Sequence, residues 1–314
     1  MKLNIKCKNQ KVTDKYALYN GDSCEIVKVI PDQSIDYILY SPPFSELYVY
    51  SDSERDLGNS KDYDEFWEHY LFLIREQCRI LKPGRLVSIH CMNLPIMKEK
   101  EGYIGIRDFR GDLIREFQKG GFIYHSEVVI YKDPLIEATR TKALGLMHKQ
   151  LIKDSSKCRM GLPDYIVTMR APGENQTPID HDRGLTHYAG SRKIEAENAT
   201  KRSHYIWQAY ASPVWMDVRQ TLTLNKNNAR DEKDCKHIAP LQLDTVERCI
   251  TLWSNPGEVV CSIFSGIGTE PYKSVEMGRK GLGIELKESY FAESVKNLDY
   301  ISKKVDEENK TLFD

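Results

Sequence analysis

The 314-residue chain carries 45 Lys and Arg against 46 Asp and Glu, a formal net charge of -1, with 40% hydrophobic and 29% charged residues. That balance excludes a disordered polyelectrolyte, and it leaves any nucleic-acid-binding face to local rather than total charge. The longest apolar runs fall short of the ~18 residues of a membrane span, the start MKLNIKCKNQ lacks a signal-peptide core, and the eight cysteines form no CxxC pair. A cytoplasmic protein with buried thiols and no metal site is the expectation.

In chain order, residues 16–20 (YALYN) read as a short strand ending at Gly21-Asp22, and 35–40 (IDYILY) as the next. The tyrosine-rich stretch 45–63 reads as a loop. Apolar residues at helical spacing predict a helix over 64–81, with Asp64 as its cap and Lys82-Pro83-Gly84 as its stop. RLVSIHC (85–91) reads as a buried strand, 110–119 as a helix and 122–132 as an alternating strand. From 133 to about 236 the rhythm breaks, and DYIVTMR (164–170) is the one convincing strand there. A helix over 241–254, a strand and glycine loop in GEVVCSIFSGIGTE, a helix over 270–277, a strand over 280–286 and a helix over 288–303 follow, before a tail expected to fray. Strands alternating with helices predict an α/β fold, a mostly parallel, doubly wound sheet with an inserted region.

Two motifs carry chemistry. In VVCSIFSGIGTE, Gly266 and Gly268 permit a tight turn and close approach of a ligand. Glu285 ends the next strand, where a carboxylate can accept both hydroxyls of a ribose. Pro271 stands where the dinucleotide fingerprint has its third glycine, and no basic residue flanks the loop. That favours a nucleoside cofactor without phosphates over a dinucleotide; a plain βα turn is the bland alternative. The second motif is SPPF, Ser41-Pro42-Pro43-Phe44, at a strand end. The prolines stop the ladder rigidly and free carbonyls to accept hydrogen bonds from an incoming amino group, and Phe44 offers a face for stacking a base. A structural strand stop with a buried ring is the alternative.

Taken together, the block NGDSCEIVKVIPDQSIDYILYSPPF ending in SPPF, the element His237-Ile238-Ala239-Pro240 and the FSGIGTE loop resemble, in that order, the motifs of the β class of DNA amino-methyltransferases. The resemblance implies a Rossmann-like fold dependent on S-adenosylmethionine. It implies catalytic roles for Ser41, Pro42, Pro43 and Phe44. Cofactor contacts are implied for Asp22, His237, Pro240, Ser262, Phe264, Ser265, Gly266, Gly268, Thr269 and Glu285. The family commonly has an acidic residue where Ser262 stands, and His-Pro where His237-Ile238 stands. Residues 1–139 and 237–314 would form the catalytic domain and 140–236 the target-recognition region. Arg140, Lys142, Lys149, Lys153, Lys157 and Arg159 are candidate phosphate contacts there, and Arg192, Lys193, Lys201 and Arg202 lie among aromatics further on. The expected partner is double-stranded DNA, with a homodimer the one self-assembly considered. Ser rather than Asp ahead of Pro-Pro favours N4 of cytosine over N6 of adenine. An amino-methyltransferase acting on RNA or protein, a dinucleotide oxidoreductase and an inactive DNA-binding relative are the rivals.

Overall fold

The computed structural model describes residues 1–5, 7–43, 63–96, 98–141, 145–182, 184–225 and 240–311. The first half of the chain runs through β1 (Asn9–Val12), β2 (Tyr16–Asn20), α1 (Ser23–Lys28), β3 (Ile35–Tyr40), α2 (Tyr63–Ile80), β4 (Leu81–Met92), a small hairpin of β5 (Leu94–Ile96) and β6 (Gly105–Arg107) flanking α3 (Lys98–Glu101), α4 (Phe109–Lys119) and β7 (Ile123–Ile130). Then come α5 (Pro134–Thr141), α6 (His148–Lys153), β8 (Asp164–Arg170), α7 (Ala199–Tyr210), β9 (Val214–Trp215), α8 (Leu243–Trp253), β10 (Val259–Ser262), α9 (Thr269–Glu276), β11 (Lys280–Glu285) and α10 (Glu288–Thr311).

Nine strands form one sheet in the order β1-β2-β11-β10-β3-β4-β8-β7-β9. The run β2, β11, β10, β3 and β4 is parallel. Their sequences are continuously apolar because helices cover both faces: every residue of β2 and β3 is buried. On one face α2 and α4 bring Phe66, Tyr70, Leu73, Ile74 and Phe117 onto Ile38, Tyr40, Val87 and Ile89. On the other, Val246 and Ile250 of α8 meet Tyr37, Leu39 and Val260. Each such large side chain contributes on the order of 1.5–3 kcal/mol by leaving water.

β10 and β3 are neighbours, yet β10 continues through α9 to β11 on one side and β3 continues through α2 to β4 on the other. The winding direction reverses between them. Ligands of open α/β sheets bind at such a reversal, outside the carboxyl ends of the strands.

Several sequence expectations need correction. Asp64 lies inside the first turn of α2 rather than capping it. Lys82-Pro83-Gly84 follows the helix end at Ile80 and forms an irregular start to β4, where the register against β3 shifts. The lysine is used there: Lys82 Nζ lies 2.5 Å from Asp36 Oδ1, and Asp36 Oδ2 accepts from Val259 N–H at 2.9 Å. The tail does not fray at 303, since α10 runs to Thr311, with Lys15 reaching Asp306 from β2's leading end. The predicted loop 45–63 lies outside the described residues apart from Tyr63, which opens α2.

The described residues between 145 and 225 also hold more regular structure than the sequence rhythm suggests, and they divide by position. β8 pairs antiparallel with both β4 and β7, so it is an interior strand of the main sheet. The described residues between the end of β7 and the start of β8 lie at the sheet edge that carries the carboxyl ends of β3 and β10, because β7 runs in the same direction as β4. Residues 172–180 run under the opposite edge, where Pro172 O accepts from Gly84 N–H and Thr177 O from Arg85. α7 then packs outside α8. There Arg248, fully buried, lies against Tyr188, Tyr210 and Trp215 and pairs with Asp217 at 2.9 Å.

Candidate active site

The carboxyl ends of β2, β11, β10 and β3 bring the two motifs together. Asp22 follows β2 and caps α1, its carboxylate accepting from Cys24 N–H at 2.8 Å. Asn20 Nδ2 and Gly21 N–H both donate to Glu285 O, at 2.8 and 3.0 Å, binding the end of β2 to the end of β11. The glycine loop is tied to its neighbours in turn. Ser23 Oγ donates to Ile263 O at 2.5 Å, and Ser265 N–H and Oγ–H both reach Ile284 O, at 2.9 and 3.1 Å.

Glu285 is held by the loop it was expected to serve. Its Oε2 accepts from Gly266 N–H at 2.8 Å and its Oε1 from Lys287 N–H at 2.8 Å. Two fixed amide donors orient the carboxylate at the strand end. Gly266 has φ +52°, and a Cβ there would meet nothing within 4 Å. Gly268 has φ +87°, and a Cβ there would stand 2.3 Å from Ser294 Oγ. Gly266 thus borders open space, while Gly268 is packed closely against α10 at the start of α9. Thr269, buried, opens α9.

Ser262 is fully buried with no well-aligned hydrogen bond for its Oγ. The acidic group missing at that position is close by. Glu270 is buried beside Ser262, and burial pushes its carboxyl up to about 8, with the Glu285 charge adding to the rise. Sequence reasoning passed over Glu270; a charged residue in the first turn of a helix that starts from a buried loop was the available signal. Phe264 leaves β10 edge-on to Tyr40, with ring centroids 5.6 Å apart, which joins the glycine loop to the strand ending in SPPF. Tyr40 in turn shares a 2.7 Å hydrogen bond with Tyr70 of α2.

Ser41 sits half-buried at the end of β3, followed by buried Pro42 and Pro43. Its Oγ is 3.1 Å from His90 Nδ1 and 3.3 Å from His90 O, on the neighbouring strand β4. His90 Nε2 lies 3.1 Å from Asp164 Oδ2, and Lys132 Nζ lies 2.5 Å from Asp164 Oδ1. Burial favours the neutral acid at Asp164, but Lys132 and His90 outweigh it and hold the carboxyl below its usual range. None of His90, Asp164 and Lys132 was singled out from sequence. The signal was a histidine near the carboxyl end of a strand that is otherwise apolar.

The other expected site residues are less informative. Phe44, His237 and Lys142 lie outside the described residues, and the side chain of Arg140 does too, although α5 carries its backbone. Pro240 is half-buried just before Gln242, which stands at the start of α8. Lys149 and Lys153 are exposed on α6, and Lys157 is exposed with a 3.3 Å pairing to Asp154. Arg159 departs from expectation: only 6% of its side chain is exposed, and its guanidinium pairs with buried Glu137 at 3.2 Å and donates to Met160 O. It braces the insertion instead of facing outward. Arg202 is likewise spent on Thr186 and Ile194 carbonyls.

A Ser-Pro-Pro strand end and a glycine loop thus meet at one switch point, in the chain order of the DNA amino-methyltransferase motifs. The family model for DNA methylases, the N6/N4 group, matches residues 35–296, and the chain belongs to that family. It is 26% identical over 307 residues to the type II methyltransferase M.BamHI of Bacillus amyloliquefaciens, an alignment covering 96% of this chain but 62% of that protein. The fold is that of TTHA0409 from Thermus thermophilus, a putative DNA modification methylase solved with S-adenosyl-L-methionine. The TM-score is 0.64 at 19% identity, covering 92% of this chain and 96% of that one. It is also that of the cytosine-N4-specific PvuII DNA methyltransferase, with TM-score 0.63 at 17% identity over 95% of this chain and 94% of that one. The curated PvuII sequence, from Proteus hauseri, is 22% identical over 315 residues, covering 93% of this chain and 86% of that protein.

Proposed function

We propose that this chain is an S-adenosylmethionine-dependent DNA methyltransferase acting on the exocyclic amine of a flipped base, N4 of cytosine in preference to N6 of adenine. The observation that carries the reading is the adjacency of β10 and β3, with Val260 beside Tyr37 and Cys261 beside Ile38. It sets the glycine loop and Ser41 at neighbouring strand ends. The relatives named above, the open Cβ position at Gly266 and the oriented Glu285 carboxylate support the cofactor assignment.

In this reading Gly266, Glu285 and Asp22 hold the nucleoside part, and the cofactor supplies an electrophilic methyl group when bound. Ser41 Oγ and the Pro42 carbonyl accept hydrogen bonds from the amine. They favour a nitrogen whose lone pair stands out of the base plane, which is positioning and electrostatic catalysis without a covalent enzyme intermediate. A base inside a duplex cannot reach a strand-end pocket, so flipping is required at a cost of a few kcal/mol. Phe44 stacking returns about 1–3 kcal/mol of it. A neutral hydroxyl at position 41 suits the cytosine amine in preference to adenine's. The recognition region is assigned to 140–236. Within it, the part between β7 and β8 rises over the edge that carries Ser41, and Lys149, Lys153 and Lys157 there are the phosphate contacts.

The test is a product analysis. The protein is incubated with S-adenosylmethionine and unmodified DNA of mixed sequence, digested to nucleosides and read by mass spectrometry. N4-methylcytosine is expected. N6-methyladenine would overturn the base preference while keeping the reaction; cofactor binding without either product would move the substrate to RNA or protein.

A further inference from the structure

We infer that His90, set by Asp164 and Lys132, is the group that takes the proton released when the amine is methylated, with Ser41 as the carrier between them. The inference rests on the proposed reaction at Ser41 and goes beyond it, since Ser41 alone only accepts a hydrogen bond.

The argument is one of lone pairs. A hydroxyl has one hydrogen and two acceptor sites. Ser41 Oγ has two neighbours on β4, His90 Nδ1 at 3.1 Å and His90 O at 3.3 Å. Which one receives its hydrogen depends on the tautomer of the ring, and Asp164 decides the tautomer. Its carboxylate is almost wholly buried, kept ionised by Lys132 at 2.5 Å, and stands 3.1 Å from Nε2. A bare Nε2 facing an ionised carboxylate at that distance is repulsive, so the hydrogen belongs on Nε2. The approach is bent rather than linear, and it acts through charge more than through an ideal hydrogen bond. Nδ1 is then bare and accepts from Ser41 Oγ–H. Both lone pairs of Oγ are left for the substrate amine.

The charged groups around the ring fit a receiver of positive charge. On its own face of the sheet stand Asp164 and Lys132, whose charges balance. Across the sheet, on the α4 side, Arg110 and Glu127 pair with each other at 2.8 Å. At the head of α8, Arg219 and Asp244 do the same at 2.6 Å. Asp108 also lies 3.9 Å from Arg110, so the surround carries one excess negative charge, and a proton arriving on the imidazole meets Asp164 as its contact partner.

The step balances. Methyl addition leaves the nitrogen with one proton too many. That proton moves to Ser41 Oγ as the Oγ hydrogen moves to His90 Nδ1, and the electron pair of the broken N–H bond stays on nitrogen. The product amine is neutral, Ser41 is regenerated, and imidazolium beside Asp164 carries the charge until water removes the proton.

His90 is thus a positioning and proton-accepting residue, and His90→Asn tests it. The Asn side chain places a neutral acceptor near the Nδ1 position but takes no proton. The single-turnover rate should fall by tenfold or more with cofactor and DNA affinities unchanged, and the parent's loss of rate toward low pH should disappear. A rate within threefold of the parent, or the same pH profile, overturns the inference while leaving the methyltransferase reading intact. A second readout needs neither DNA nor turnover. Ring 15N spectra of the parent should show the neutral His90 with its hydrogen on Nε2; hydrogen on Nδ1 overturns the chain. If no nucleoside product forms at all, the substrate reading fails separately and the ring spectrum still judges His90.

Discussion

At the scale of single residues, the buried acid after the glycine loop carries a stability signature. Glu270 keeps its proton in the folded protein up to about 8, whereas its ordinary value is near 4.5. Between those limits the unfolded chain binds fewer protons than the folded one. Its contribution is therefore full below about 4.5 and is lost as pH rises through the folded value. Glu270→Gln should flatten this slope: melting temperatures of parent and variant should diverge toward pH 8, with the variant higher, and converge at pH 5. Parallel curves would show that Glu270 ionises normally. The sequence exposed SPPF and the glycines because their chemistry is local. It hid Glu270, because burial is a property of what packs above a residue. It hid the His90–Asp164 contact for a similar reason: those residues meet only because β8 returns antiparallel beside β4, Met92 opposite Asp164.

At the scale of elements, legibility followed punctuation. β2, β3, β8 and β11 are dense apolar runs closed by Gly, Pro or a charged residue, and their predicted spans agree with the structure to within a residue. α5, α6 and α7 went unread because α5 and α6 are short and the starts of α5 and α7 depend on side chains. Asn198 Oδ1, for example, accepts from Lys201 N–H at 2.9 Å to begin α7. β9 has two residues and exists through its pairing with β7. Capping matters to the core as well. Asp108 Oδ1 accepts from Gly111 N–H at 3.1 Å at the head of α4, the helix that buries Phe109, Leu113 and Phe117. Asp108→Ala should cost about 1 kcal/mol. For a chain of this length that lowers the melting temperature by roughly 2–4 °C, measurable by calorimetry, with methyl transfer at lower temperature unaffected.

At the scale of the whole molecule, a net charge of -1 conceals a division of labour between two polar stretches. The sequence marked the basic residues of 140–159 as candidate phosphate contacts and left those of 192–202 open between groove contacts and a packed subdomain. The fold separates them: α6 and its lysines stand at the edge that carries Ser41, while α7 and the Arg248 cage lie along the outer side of α8. Removing exposed cations that meet phosphate lowers the slope of log affinity against log salt by about one per contact. The double variant Lys149→Ala, Lys153→Ala should lower that slope by about two for every DNA sequence tried. Lys193→Ala and Lys201→Ala should leave it unchanged. A slope that moves only with the second pair would place the nucleic acid on the α8 side.

The insertion of β10 and β11 between β2 and β3 has a consequence in time. Strands made first flank strands made last, since β2 waits for β11 and β3 for β10. While the chain is being synthesised, β3 and β4 can pair, but the far side of β3 and the inner side of β2 stay open until nearly the whole chain has emerged. Long-range parallel pairing of this kind folds slowly, and unpaired strand edges invite association with other chains. A ribosome stalled before Val259 would hold a nascent protein with two sticky edges, one on each side of the gap where β10 and the glycine loop belong.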